Sequence, residues 1–464
     1  MEGCLRPSLS FSAASIENLG MVLGEVVANP AAVLTLCAER PQIELRRDAE
    51  MTERVSGAAT DPVTNALMRG FPPPADKTVR LQDGSSWSFP NLRWAFSHQR
   101  ELAPSVNVWR GRGAAFEFPS ALRDDLDAVA FTTMDGEAMT WRESLDVNCT
   151  DGILVLHKGV VVYENYFAAL ERHIPHLAMS VTKSFVGVLA ATLAHEGALD
   201  PQERVPYYVP ELAGTAYGDA TVRHVMDMTI GVQYSETYTD PDAQIWAYTA
   251  ASGVTARPEG YAGPQTIFDF LSGLKKQGEH GQAFAYKTCN TEVLGWVIQR
   301  VTGVPIARML SDKIWQKLGM EEDAYLLVDP IGTAMCGGGL NLTLRDLARF
   351  GEMMRCDGAF DGHQVIPAAV VADTAGGADR DHFAKSGYVT LPGWSYRNQF
   401  WVSHDKFGAF SARGIHGQAA WIAPGAEVVI ARFASHATAA NGNGPLDRVS
   451  LPAYAAIAER LMKT

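Results

Sequence analysis

The chain has 464 residues, room for about three domains at ~150 residues each, or for one large catalytic unit with an appended segment. Apolar residues make up 47% and charged residues 20%, and no run reaches the ~18 uninterrupted apolar residues of a membrane span, so collagen, coiled coil, wholesale disorder and transmembrane topologies are excluded. With 39 Lys and Arg against 52 Asp and Glu the net charge is −13, which argues against nucleic acid as a partner.

Residues 1–50 carry no clear pattern, and Met51 is a second plausible start, so 1–50 reads as an N-terminal extension ahead of a 51–464 body. Met21 to Cys37 is partly apolar, but Glu25, Asn29 and Pro30 interrupt it, which argues against a signal peptide and for the cytoplasm. The six cysteines (Cys4, Cys37, Cys149, Cys289, Cys336, Cys356) are scattered and form no C-x-x-C pair, the usage of free thiols in a reducing compartment. Met51 to Gly84 is loop-like, with Gly70-Phe71-Pro72-Pro73-Pro74 extended because proline locks φ. Ile153–His157 and Val160–Phe167 are two β-rich runs around Lys158-Gly159, a predicted hairpin. Ser180 to His195 is nearly uncharged, a predicted buried helix with Gly197 as its stop. Helical periods follow over Thr291 to Thr302, ended by Gly303, over Ile306 to Leu318, and over Thr343 to Cys356. Strand signals return at Asn398–Val402, Gln418–Ile422 and Glu427–Phe433, and a last helix is predicted from Leu451 to Met462. The expectation is an α/β fold of the α+β type. Residues 90–200 and 360–464 would build an antiparallel sheet flanked by helices, with a mainly helical domain, 201–359, inserted between them.

Chemistry is sparse. His195-Glu196 lacks the second histidine of a zinc motif, so no metal is expected. Gly337-Gly338-Gly339 follows no strand and matches no nucleotide-binding pattern; it reads as a tight turn or a close backbone approach, and no cofactor is expected. No G-x-S-x-G elbow is present. Ser180-Val181-Thr182-Lys183 is a Ser-x-x-Lys tetrad, but Ser272–Lys275 and Ser403–Lys406 match it too. Context separates them. On a helix, three-residue spacing puts Ser180 and Lys183 on one face, Ser180 opens its helix where free amides favour an oxyanion, and the apolar run after Lys183 would desolvate its amine. From the residues alone, an ordinary helix start stays equally open.

Met179–Ser184 with the preceding hairpin, Val205-Pro206-Tyr207-Tyr208-Val209-Pro210-Glu211-Leu212 and Val222–Met228 resemble the serine β-lactamase-related hydrolases, the group of class C β-lactamases, esterases and DD-peptidases. Within it Arg93–Phe96, Tyr238–Pro241, Tyr286–Gly303, Arg345–Arg349 and Gly414–Gln418 are most similar to 6-aminohexanoate-dimer hydrolases, in the same order, from about residue 90 to the end. The resemblance implies a β-lactamase/DD-peptidase-like fold and an acyl-enzyme mechanism. Ser180 would be the nucleophile, Lys183 its base and Tyr286 the proton relay, with the backbone N–H groups of Ser180 and Ile415 as the oxyanion hole. Tyr238, Thr249, Trp401, Gly414 and His416 would line the substrate, though a structural role for His416 is equally open.

The departures narrow the substrate. Tyr286-Lys287-Thr288 replaces the lactamases' Tyr-x-Asn, and Ala412-Arg413-Gly414 replaces Lys-Thr-Gly. By ungapped count Thr249 stands where the dimer hydrolases' acidic partner for an ammonium end is expected. The expected partner is therefore a small-molecule ester, with a linear amide or weak β-lactam hydrolysis as the alternative. Tyr238, Trp246, Tyr248 and Trp401 are expected to wall an apolar pocket. A catalytically silent binding or sensor protein on the same fold is the non-enzyme alternative. Oligomeric state and natural substrate are not legible.

Overall fold

A computed structural model describes residues 56–439 and 442–463; the 1–50 extension, with Cys4 and Cys37, lies outside the described residues. The elements that place the site are β1 (Ser105–Val108), β2 (Thr150–His157), β3 (Val160–Tyr166), β4 (His176–Leu177), α1 (Val181–His195), α2 (Gln244–Ala251), α3 (Thr288–Thr302), β5 (Ala324–Leu327), β6 (Leu340–Leu342), α4 (Leu344–Arg355), β7 (Ser395–Arg397), β8 (Phe400–Val402), β9 (Phe410–Gly414), β10 (Gln418–Ala423), β11 (Val428–Ala434) and α5 (Pro445–Leu461).

The predicted hairpin forms with Leu154 opposite Glu164. Its two-residue turn, Lys158-Gly159, has positive φ at both positions, the twist that matches right-handed strands. The hairpin lies at one edge of a seven-stranded antiparallel sheet ordered β7-β8-β9-β10-β11-β2-β3. Strands from residues 150–166 and 395–434 build it. Alternation along β2 divides the core: Leu154 and Leu156 face the cluster around α1 and α4, and Ile153 and Val155 face the cluster of Trp141, Tyr454 and Ile457 under α5. The sheet is thus a buried middle layer. In α1 every residue from Val181 to Leu193 is buried, which explains its mostly apolar sequence and leaves Thr182, Lys183, Ser184 and Thr192 as buried polar groups. Gly187 lets the β7–β8 turn approach, since a Cβ there would sit 2.2 Å from the Asn398 carbonyl oxygen.

The structure moves several predicted boundaries. The strand expected from Asn398 starts at Phe400, since Asn398 and Gln399 take positive φ in the β7–β8 turn. The helix expected over Ile306 to Leu318 is α-helical only over Ile306–Leu310, widening into a π-turn over Ser311–Trp315. The helix expected from Thr291 begins at Thr288, because the first-turn amide of Thr288 donates to the Glu236 carboxylate, a cap supplied from 52 residues away. The final helix begins at Pro445, not Leu451, with a helix-compatible proline at its start and Pro452 inside. Burial of Leu446, Tyr454, Ile457 and Leu461 outweighs the hydrogen bond that Pro452 forfeits. Within 201–359, β5 and β6 join β1 and β4 in a second antiparallel sheet ordered β1-β5-β6-β4. Strands of two to four residues carry too little alternation to be read from sequence. Ahead of β1, Leu67 and Val79 of the loop-like segment pack on Trp94 and Ala95.

Candidate active site

The nucleophile candidate is set by a strained turn. Between β4 and α1, Met179 holds φ +48°, an uncommon conformation for a side chain of its size, and swings Ser180 onto the first turn of α1. Thr182 pins that turn by donating its hydroxyl to the Met179 carbonyl (2.6 Å) and accepting the Leu340 amide (3.0 Å). Ser180 is half-buried, and Lys183 is 1% exposed.

Lys183 Nζ lies 2.8 Å from Ser180 Oγ, 3.1 Å from Thr288 Oγ1 and 2.5 Å from the Gly337 carbonyl oxygen. Three oxygens therefore hold the amine at the serine. Desolvation lowers its pKa to about 8, partly opposed by the nearby carboxylates of Glu236 and Glu292. Ser272 and Ser403, the competing tetrads, lie at an exposed helix end and in a half-exposed turn.

Tyr286 is half-buried beside this pair, its ring centroid 5.2 Å from Lys183 Nζ. Burial pushes its pKa well above 10, so it remains a protonated phenol. The ring stacks on Trp401 at 5.2 Å and meets Tyr396 edge-on at 6.0 Å. Gly414 ends β9 against the nucleophile turn: a Cβ there would lie 2.7 Å from the Ala178 carbonyl oxygen and 3.0 Å from Met179 Cβ. That approach sets the end of β9, just before Ile415, against the turn that precedes Ser180. His416 follows with φ +62°, its amide donating to the Ala439 carbonyl and its Nδ1 2.7 Å from the His436 carbonyl. Buried edge-on against Phe96, and with its pKa lowered to about 4 by desolvation, it fastens the turn that presents Ile415.

The remaining sequence candidates divide. Tyr238 is half-buried and meets Trp246 edge-on at 6.1 Å, both packed on the core cluster around α1, whereas Trp401 backs Tyr286 in a separate aromatic cluster. Buried on the inner face of α2, Tyr248 donates its hydroxyl to Glu292 at 2.5 Å. The Thr249 hydroxyl donates to the Trp246 carbonyl at 3.1 Å and accepts from Thr255 at 3.0 Å, both local to α2.

Thr288, Glu236 and Glu292 escaped the sequence reading as groups of the site, and so did the contact of the Gly337 carbonyl with Lys183, although its glycine run was read as a tight turn or close backbone approach. Thr288, in the position of the lactamase asparagine, keeps that residue's acceptor for the lysine while lacking its amide donor. Gly337 is a close backbone approach: a Cβ there would be 2.4 Å from Thr288 Cγ2. Glu236 and Glu292 reach the site from separate segments and had no local signal. In place of the lactamase lysine stands Ala412, fully buried. The adjoining Arg413 pairs with Asp447 and lies over Trp394 and Trp401, with centroid distances of 5.6 and 5.2 Å. Among the described residues, no group of three or more His, Cys, Asp or Glu is arranged to hold a metal, and no helix is long and apolar enough to cross a membrane.

Comparison with known proteins places the chain in a family. The β-lactamase family model matches residues 150–453. A 6-aminohexanoate-dimer hydrolase from Paenarthrobacter ureafaciens is 37% identical over 352 residues, 75% of this chain and 87% of the relative. A solved structure from Bacillus anthracis, given provisionally as a 6-aminohexanoate-dimer hydrolase, is 33% identical with a TM-score of 0.76, covering 84% of this chain and 99% of its own. A penicillin-binding protein homologue from Caulobacter crescentus, 17% identical with a TM-score of 0.51 over 74% of this chain and 100% of its own, shares the fold. The chain belongs to the β-lactamase family as one of its serine hydrolases.

Proposed function

We propose that the chain hydrolyses a small-molecule carboxylic ester, or a linear amide, through an acyl-enzyme on Ser180. The observation that carries this reading is the 2.8 Å contact between Ser180 Oγ and a fully enclosed Lys183 whose pKa burial lowers to about 8. The neutral amine takes the serine proton as Oγ bonds to the substrate carbonyl carbon. The carbonyl electron pair moves to oxygen, which the backbone N–H groups of Ser180 and Ile415 stabilise. Collapse breaks the bond to the leaving group, which receives the proton by way of Tyr286, and water then repeats the sequence to free the acid.

Ester over β-lactam follows from missing partners. Ala412 offers no cation to an antibiotic carboxylate, and Arg413 is already paired with Asp447. Thr288 accepts but has no amide to donate. The linear amide is the second reading, favoured by the 37% identity to a 6-aminohexanoate-dimer hydrolase; against it, Thr249 supplies no charge for an ammonium end. Measuring kcat/KM for a p-nitrophenyl ester, nitrocefin and the linear dimer on one preparation decides the order, with the ester expected to lead by a wide margin. Ser180→Ala should abolish ester turnover and fluorophosphonate labelling, and unchanged turnover would refute the mechanism.

A further inference from the structure

Two buried carboxylates approach Lys183 without touching it. Each holds one of the two residues that, besides Ser180, supply an acceptor to its amine. Glu236, half-buried in the loop before α2, accepts the backbone N–H of Thr288, whose hydroxyl meets Lys183 Nζ at 3.1 Å. Glu292, 3% exposed and one turn further along α3, accepts the backbone N–H groups of Gly337 (2.7 Å) and Cys336 (3.0 Å) and the Tyr248 hydroxyl (2.5 Å). The Gly337 carbonyl is the 2.5 Å partner of the same amine. A carboxylate that receives three donors and gives none is suited to its ionised form. Neither glutamate is spent on a salt bridge among the described residues, unlike Glu164 and Glu321, which pair with arginines.

We propose that Glu236 and Glu292 are positioning residues for Lys183, clamping Thr288 and Gly337 through their backbone amides and setting, by their joint negative charge, how much of the amine is free to act as base. This rests on the Ser180–Lys183 reading. The titratable groups facing Lys183 are Glu236 from the loop, Glu292 and Cys289 from α3, and Tyr286 from the turn before it, with Lys287 facing Glu236 while donating to the Val232 carbonyl. Burial drives the Cys289 thiol up to about 12 and the Tyr286 phenol well above 10; it raises both glutamates too, but the charge of Lys183 and the donors each glutamate receives oppose that rise and favour the carboxylate form. Both raise the lysine's affinity for its proton and oppose desolvation. The balance leaves a base that is neutral in part near neutrality yet still held by three acceptors.

The test is the pH dependence of two rates in the full chain: kcat/KM for an uncharged p-nitrophenyl ester, and covalent labelling by an uncharged fluorophosphonate. Replacing Glu236 by Gln keeps the side chain's size and removes its charge. The acidic limb of both profiles should move down by at least half a pH unit while plateau kcat falls about tenfold from the loosened Thr288, with KM within threefold of wild type. Glu292→Gln should shift the limb in the same direction. Glu279→Gln, at an exposed surface carboxylate, should leave it in place. If Glu292→Gln does not fold, Glu236→Gln decides alone, because its side chain is only half-buried. A limb that stays at its wild-type pH in the folded variants overturns the proposal, even if rates fall, since a purely structural role predicts that result. Ser180→Ala separates the two levels: labelling that survives it refutes the nucleophile, whereas labelling lost there with unshifted limbs refutes the glutamates alone.

Discussion

At the scale of single residues, the burial of Lys183 makes a quantitative statement about pH. The base works only when neutral and its pKa is lowered to about 8, so kcat/KM for an uncharged ester should climb about tenfold per unit below that pH and flatten above it. A profile already flat at pH 6 would remove Lys183 as the base. Lys183→Ala should cost ~10²- to 10⁴-fold in acylation, read as the rate of fluorophosphonate labelling, whereas Ser272→Ala and Ser403→Ala should label at the wild-type rate. Tyr286 stays protonated across this range, because burial holds its pKa well above 10. Tyr286→Phe should therefore lower the plateau without moving the limb. Sequence made the Ser180–Lys183 pair visible through spacing and an apolar context. It could not show Glu236 and Glu292, whose roles depend on contacts 45 to 52 residues apart in the chain.

Among the elements, the meeting of β9 with the β4–α1 turn is the close fit on which an oxyanion site depends. Gly414 has no room for a Cβ, which would stand 2.7 Å from a backbone oxygen that cannot swing aside. Gly414→Ala should push Ile415 away from Ser180 and lower kcat by about 10²-fold, with far less effect on KM, because a displacement on the order of 1 Å spoils donors aimed at the transition state. An unchanged kcat would mean that the Ile415 amide is not one of them. The long elements were legible: α1, α4 and the hairpin each carry a period, a cap or a turn signal of their own. Helix α3 was legible except at its start, where the cap comes from Glu236, and the short strands β4, β5 and β6 were not legible at all.

For the whole molecule, a buried network ties the residues before β1 to the sheet. The Arg93 guanidinium, 2% exposed overall, bonds Asp151 (3.0 Å), Ser435 (3.2 Å), Thr60 (2.9 Å) and the Gly57 carbonyl, and Asp151 also meets His176 at 3.2 Å. A chain begun at Met51 should match the full chain in ester turnover and thermal midpoint. One begun at Asp61 strips Arg93 of two partners and should lose about 3–5 kcal/mol, the cost of leaving a buried charge under-paired. Equal midpoints for the two truncations would contradict this. Acid should act through His416 and His436, both lowered to about 4 by burial from an ordinary 6.5. The unfolded chain then binds more protons between those values, so stability is full above pH 6.5 and is lost as pH falls towards 4, by roughly 3 kcal/mol at most for each. His416→Asn, a residue that tolerates positive φ, should flatten the fall in thermal midpoint over that window; an unaltered slope would place the acid sensitivity elsewhere.

What sequence alone determined here is whatever is written locally or in order along the chain. The hairpin, the buried helix opening at Ser180, the Ser-x-x-Lys spacing and the ordered motifs from Arg93 to Gln418 led to an α+β hydrolase of the β-lactamase group, which the matched family and relatives show. Tertiary structure decided everything that depends on approach. It turned Met179 to present Ser180, brought Thr288 and Gly337 onto one amine, withdrew Tyr248 into the core, and assigned His416 to the support of a strand end. Periodicity and spacing report on neighbours within a few turns of the chain. The electrostatics of a buried base are set instead by groups that only folding makes neighbours, and desolvation, which lowers the Lys183 pKa, does not exist until the core closes around it.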